Sequence, residues 1–365
     1  MRTIPGLLIV VTIAGAAYLV AWPVPIDAVA WEPPADAGYT GAHATNHRLV
    51  GLERVPVPGL TGPEDVVLAP DGTLYTTSHE GVIAYRPPGA DTFTEWTRIG
   101  GRPLGLDWDE VGDRLVIADA FDGLWAVTTD RRARRLTNEV DGSPIRYADD
   151  VVAARDGTLY FTDASTKFGA QQWGGTYEAS LVDILEHGRN GRVLAFHPSD
   201  GRTTTVIDQI QFANGIALSN NESRLFVVET GEYRILAYHL SGPRKGETEV
   251  LIDNLPGYPD NISKGSEGRL WVGLVSGRRA IVDRLAPQPL LREVIYRLPR
   301  SVRPEANRYG HVIAVDETGR VVADLQDPTG DFAHTTTAIE MGRDLWIASL
   351  HEPDLGRVRD WQTAL

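Results

Sequence analysis

Residues 149–163 read DDVVAARDGTLYFTD, and residues 64–78 repeat the phrase as EDVVLAPDGTLYTTS. In each, an apolar run meets a polar turn built on Asp-Gly, and a second run follows with Leu and an aromatic residue. Asp-Gly between two β-prone runs is a strong hairpin signal, because both turn residues tolerate positive φ. The phrase recurs more loosely at 104–119 (LGLDWDEVGDRLVIAD), 214–229 (NGIALSNNESRLFVVE), 260–274 (DNISKGSEGRLWVGL) and 335–350 (TTTAIEMGRDLWIASL). Opening positions 64, 104, 149, 214, 260 and about 337 give spacings of 40, 45, 65, 46 and about 77 residues. A period of roughly 40–50 residues, with two further strands after each hairpin, is the signature of a propeller blade. The long intervals hold insertions near 164–191 and 276–308. The expected fold is all-β, a six-bladed β-propeller.

Outside the repeats, the last copy keeps one clear strand, Arg357–Arg359, while an unassigned β-prone run, His47–Val57, precedes the first. Pairing the two would close the ring and remove a free edge. Residues 46–365 therefore form the propeller, and residues 1–45 are set apart as an apolar segment with a Pro-rich linker. From Gly6 to Trp22 there is no charge; Arg2 precedes, and Asp27, Glu32 and Asp36 follow. This length is at the short end for a bilayer span, and the charge asymmetry places the propeller on the extracytoplasmic side. Small residues at Ala14–Ala16 or Ala28–Ala30 leave a second reading, a signal cleaved to release a secreted protein.

A formal net charge of −14 argues against a nucleic-acid partner. The one basic cluster, Arg131, Arg132, Arg134 and Arg135, reads as a solvated turn. The chain has no cysteine, which removes disulfides, thiolate nucleophiles, iron–sulfur clusters and cysteine-ligated zinc. No Gly-x-Ser-x-Gly elbow or phosphate-binding loop is present. His43 and His47 stand four apart without a glutamate neighbour, which is poor support for zinc, and Lys264 reads as a solvated lysine ahead of a Schiff-base nucleophile.

The innermost strands of a propeller start around one end of its channel, so the residues that open the repeats converge. They are Glu64, Leu104, Asp149, Asn214, Asp260 with Asn261, and Thr335–Thr337. Clustered carboxylates repel one another and are poorly solvated. A hard cation relieves both problems, and Ca2+ takes six to eight oxygen ligands of this kind. The expected ligands are Glu64, Asp149, Asn214, Asp260 and Asn261, with Ca2+ or another divalent cation as cofactor. The insertion at 164–191 holds a candidate helix, Tyr177–His187, with Leu181, Ile184 and Leu185 at helical spacing. It is expected to help cover the channel, with Phe168 and Trp173 lining the cover.

The stretches YADDVVAARDGTLYFTDASTKF (147–168), GRVLAFHPSDGRTTTVI (191–207), QFANGIAL (211–218), GPRKG (242–246) and NLPGYPDNI (254–262) resemble the strictosidine synthase-like family. The likeness runs from about Pro63 to Val358, and gluconolactonases and paraoxonases resemble the chain more distantly. The resemblance implies a calcium ion in the channel, with Glu64, Asn214 and Asp260 in the ligand positions. At the third position Asp149 stands where relatives carry Asn. Two departures limit the transfer of function. Thr337 falls where the plant alkaloid synthases place a catalytic glutamate, and a threonine does not shuttle that proton. Leu104 and Gly105 fall where paraoxonases place a histidine.

The expected function is that of a monomeric Ca2+-dependent hydrolase for lactones, aryl esters or phosphotriesters, with Asp260 or Asp149 as general base and a small-molecule ester or lactone as partner. The rival readings are a non-catalytic, membrane-tethered binding propeller with structural calcium and, behind it, an amine–aldehyde condensing lyase.

Overall fold

The computed structural model describes residues 4–364, with side chains from 12 to 363. Six four-stranded antiparallel sheets follow one another along the chain. Their innermost strands are Val66–Leu68, Pro103–Asp109, Ala148–Ala153, Ala213–Leu218, Gly257–Lys264 and Thr335–Met341. Each begins within three residues of a repeat opening. The sixth blade is completed as expected: Glu53–Pro56 pairs with Asp354–Val358, so the two ends of the chain share one sheet. Apolar residues alternate along the strands and fill the spaces between blades. Trp346, for example, packs among Val55, Val66, Leu74 and Phe93 where blade six meets blade one.

The inner strands share one irregularity. In blades two to six an extra residue enters the inner strand just after its start, between Pro103 and Leu106, Ala148 and Val151, Ala213 and Ile216, Pro259 and Ile262, and Thr335 and Ala338. A bulge releases two residues from the regular ladder and re-aims their side chains. Those residues are Leu104–Gly105, Asp149–Asp150, Asn214–Gly215, Asp260–Asn261 and Thr336–Thr337. Where the second one is glycine, a neighbouring blade fills the space: a Cβ on Gly215 would lie 2.4 Å from the Ile262 amide nitrogen, and one on Gly105 would lie 2.2 Å from Asp150 Oδ1.

Both insertions leave between the second and third strands of their blades, at the channel end where the inner strands start. The first carries a helix, Thr176–Glu186, one residue earlier than its sequence pattern predicts. The second, which the sequence marks only as an insertion, carries two helices, Ala280–Leu285 and Pro289–Arg297. Arg292 Nη1 donates to Leu185 O at 2.9 Å, the Ala306 amide donates to Tyr177 Oη at 3.2 Å, and Arg300 pairs with Glu178. The two insertions thus form one lid.

The apolar N-terminal segment is a helix, Ile4–Ala21. Its 18 residues rise about 27 Å, short of a hydrocarbon core of about 30 Å. Side chains before residue 12 lie outside the described residues, so the anchor expectation for residues 6–22 falls partly outside them. Among the described residues no helix is long and apolar enough to cross a membrane. The Pro-rich stretch after it is laid against the propeller as a strap. Ile26 is buried among Leu104, Tyr147, Phe168 and Val182. The Val29 amide donates to Glu186 O at 2.8 Å, and Trp31 stacks on His187 with ring centroids 4.0 Å apart. Proline-fixed φ lets such a segment run extended without giving up main-chain partners it would otherwise need.

Candidate functional site

A cavity of about 300 Å³ lies between the channel end of the propeller and the lid. Its propeller wall carries Glu64, Asp149, Asn214 and Asp260, and Tyr147, Phe212 and Tyr258 add aromatic surface. Its roof carries Trp173, Tyr177, Leu181 and Ile184 from the first insertion, with Ile295 and Tyr296 from the second. Phe168 is not in the roof; it is buried edge-on against Trp173, 5.1 Å between centroids, and supports it from behind. The structure therefore brings four of the five expected ligands to one wall. Asn261, the second residue of its bulge, is buried but does not line the cavity, and its amide has no hydrogen-bond partner.

The polar atoms on that wall are the informative ones. Asp149 Oδ1, Asn214 Oδ1 and Asp260 Oδ1 are all buried and have no hydrogen-bond partner. An unpartnered buried acceptor costs about 1–3 kcal/mol, and three of them from three blades face the same space. Burial raises the pKa values of Asp149 and Asp260 well above the carboxylate range, and the Glu64 charge adds to the rise at both. Asn214 hydrogen-bonds Asp260, which pulls the other way. Three desolvated oxygens, two of them from mutually repelling carboxylates, form the donor set of a hard-cation site. The residues present fit Ca2+.

Glu64 has a partner that the sequence does not announce. Its carboxylate accepts from Arg102, a buried guanidinium that also donates to Pro103 O at 2.8 Å. The sequence reading missed Arg102 because it stands two residues ahead of a repeat opening and carries the opposite charge to the residues sought. Its effect is to balance one of the wall carboxylates from within the protein.

The neighbours of the ligands do a separate job. Asp65 Oδ2 accepts the Leu106 amide of blade two at 2.9 Å, Asp107 Oδ2 accepts the Ala153 amide of blade three at 2.9 Å, and Asp150 Oδ2 accepts the Ile216 amide of blade four at 2.8 Å. Each carboxylate ties its blade to the next. Thr336 Oγ1 donates to Glu64 O across the closing junction. Thr337 is fully buried with an unpartnered hydroxyl, and Leu104 belongs to the apolar cluster under the lid. Lys264, at the far end of its strand, is exposed.

The lid is anchored by polar residues that the helical pattern does not reveal. Asp183 is buried and accepts from Ser165 Oγ, Gln211 Nε2 and Asn190 Nδ2 at 2.6, 3.0 and 3.2 Å, and burial raises its pKa to about 7. Deleting the helix would strip the core of these partners, so a side-chain change is the cleaner probe of selectivity. Leu181→Trp should shrink the cavity, so that it takes up bulky apolar probes less well, and leave the melting temperature in Ca2+ unchanged. Probe binding across a size series, paired with thermal melts, reads both.

With this geometry in view, comparison with known proteins is direct. The strictosidine synthase family model matches residues 149–243, and the model for the N-terminal part of strictosidine synthase-like proteins matches residues 41–85. Strictosidine synthase-like 4 of Arabidopsis thaliana is 32% identical over 309 residues, covering 83% of this chain and 80% of the relative. The adipocyte plasma membrane-associated protein of Bos taurus is 28% identical over 372 residues, covering 96% and 88%. Among solved structures, a gluconolactonase from Xanthomonas campestris superposes with a TM-score of 0.61 at 18% identity, covering 92% of this chain and 96% of that one. The calcium-binding protein regucalcin from Agrobacterium tumefaciens gives 0.58 at 17% identity, covering 84% and 92%. These two likenesses concern the fold. The wall residues lie within the stretch shared with the Arabidopsis and bovine relatives, and this chain belongs to the strictosidine synthase-like family.

Proposed function

We propose that this chain is a Ca2+-dependent hydrolase for lactones or aryl esters with an apolar body, with phosphotriesters as the next substrate class. The observation that carries the reading is the set of buried, unpartnered oxygens of Asp149, Asn214 and Asp260 in the wall of a covered, aromatic-lined cavity. Bound Ca2+ would supply Lewis acidity toward a carbonyl or phosphoryl oxygen. The protein's own groups account for the rest. Asp149, Asn214 and Asp260 would hold the ion, while Glu64 stays charge-balanced by Arg102. Asp260, steadied by its hydrogen bond with Asn214, would also act as general base on water, with Asp149 as the alternative. Tyr177, Leu181 and Tyr296 would orient the apolar body and exclude bulk water. The names gluconolactonase and regucalcin among the fold neighbours agree with this reading. The bovine relative's name extends it to a membrane location, with the N-terminal segment as the attachment and the propeller on the extracytoplasmic side.

A second reading has its own support. Thr337 and Leu104 occupy two positions where better-equipped relatives carry proton-moving groups, which suits a binding propeller with structural calcium. Assay of the purified chain with Ca2+ against lactone, aryl-ester and phosphotriester panels separates the two. Turnover that a chelator abolishes and Ca2+ restores is the expected result. Absence of turnover on all three panels, with Ca2+ still raising the melting temperature, would leave the binding reading.

A further inference from the structure

We propose that His43, His311 and Asp324 form a second metal site, separate from the channel, that takes a late first-row divalent cation such as Zn2+ and clasps the strap to blade five. His311 lies on the third strand of that blade (Gly310–Asp316) and Asp324 on the outermost (Val321–Asp327). His43 comes from a single helical turn in the strap, Gly41–His43. His43 Nδ1 and His311 Nε2 both approach Asp324 Oδ2, each at 2.9 Å, and one ligand atom from each residue lies within 4.8 Å of the others. His311 and Asp324 are buried, with side chains 2% and 4% exposed, while His43 at 16% leaves a way in.

The ligand types choose the metal. Two imidazole nitrogens with one carboxylate oxygen suit Zn2+, Ni2+, Co2+ or Fe2+, whereas Ca2+ seeks oxygen alone. Three protein ligands also leave a position for water. The carboxylate is held for this role from outside. Asp324 Oδ1 accepts from Asn46 Nδ2 at 2.9 Å and Gln326 Nε2 at 2.6 Å, and Tyr309 Oη in turn donates to Gln326 Oε1 at 2.6 Å. Such outer partners fix ligand orientation in metal sites. Tyr39 of the strap lies 5.7 Å from the His311 ring and stacks on Tyr309 at 4.8 Å, which walls one side with aromatic rings. The site therefore joins strap to blade. Because the strap continues back across the lid through Trp31 and Ile26, a metal here would fix the segment that packs against the lid.

The test uses the full-length chain, stripped with EDTA and titrated with Zn2+ by calorimetry and with Co2+ by visible absorption, in saturating Ca2+. One Zn2+ per chain and ligand-field bands for Co2+ are expected. His43→Gln and His311→Gln each keep a donor for Asp324 but remove the imidazole. Each should weaken Zn2+ binding by about tenfold or more, while Asp260→Asn leaves it unchanged. Zn2+ should also slow proteolytic cutting of residues 36–48 in the unaltered chain and not in His43→Gln. The proposal is overturned if no Zn2+ binds at millimolar concentration, or if both Gln variants bind it as tightly as the unaltered chain. His43→Gln changes a strap residue outside the propeller strands, so the experiment does not hang on a core variant folding.

Discussion

Asp260→Ala is expected to abolish any turnover and to remove any stabilisation that Ca2+ confers, while leaving the Ca2+-free protein as stable as the unaltered chain or more so. The two halves of this result have one cause. Asp260 is buried, one of its oxygens has no partner, and its pKa is driven up by burial and then by the Glu64 charge. In the absence of a cation its ionised form therefore works against the fold. A carboxyl group with a raised folded pKa makes its full contribution below the unfolded value of about 4, and stability declines as pH rises from there towards the folded pKa. The Ca2+-free chain should accordingly lose stability as pH rises from about 4 towards neutrality, and Asp260→Ala should flatten that slope. With the cation present the sign reverses. A ligand that binds only the folded state at 100 times its Kd adds about 2.7 kcal/mol, and loss of a carboxylate ligand forfeits most of that. Thermal melts with Ca2+ and with chelator, at pH 5 and pH 8, check all four corners. Equal Ca2+ stabilisation of Asp260→Ala and the unaltered chain would rule out the channel site.

Asp150→Ala, one residue from a ligand, should behave in the opposite way: it should destabilise by about 2–4 kcal/mol whether or not Ca2+ is present. The Asp150 carboxylate accepts the Ile216 amide of blade four and the Val151 amide of its own strand, both at 2.8 Å. Its loss leaves two buried N–H groups without partners and loosens the junction between blades three and four. Burial raises the Asp150 pKa well above the usual range, so removing it also relieves some desolvation, and the cost belongs towards the lower end. Asp149→Asn, by contrast, keeps an oxygen at the wall and should alter Ca2+ affinity more than stability. Denaturant unfolding of the two variants with and without Ca2+ distinguishes them. A Ca2+-dependent loss in Asp150→Ala would mean that it too belongs to the metal site.

The contrast between these adjacent aspartates shows where reading a sequence stops. The period, the blade count, the ring closure through residues 53–56 and the end of the channel at which Glu64, Asp149, Asn214 and Asp260 gather were all legible, because each is set by local pattern. Asp-Gly turns and β-prone runs repeat with the blade, and identical units stacked in a ring must bring equivalent positions together. The helix of the first insertion was legible for the same reason, as Leu181, Ile184 and Leu185 recur at helical spacing. What the pattern did not carry was the division of labour within each bulge, where Asp149 faces the cavity and Asp150 spans to the next blade. Register in a twisted, bulged strand decides that, and register is a property of the pairing.

Arg102, the strap and the His43–His311–Asp324 cluster escaped for a plainer reason. Arg102 meets Glu64 across 38 positions, and His43 meets Asp324 across 281. No spacing rule spans such distances, and His43 looked unsupported beside His47 because its partners lie on another blade. Local patterning of turns and apolar runs was sufficient to specify a six-fold ring with oxygen-bearing side chains at its mouth. Tertiary packing decided which charged groups meet, since only the approach of distant segments in a desolvated interior makes an arginine, a histidine or an aspartate answer to another.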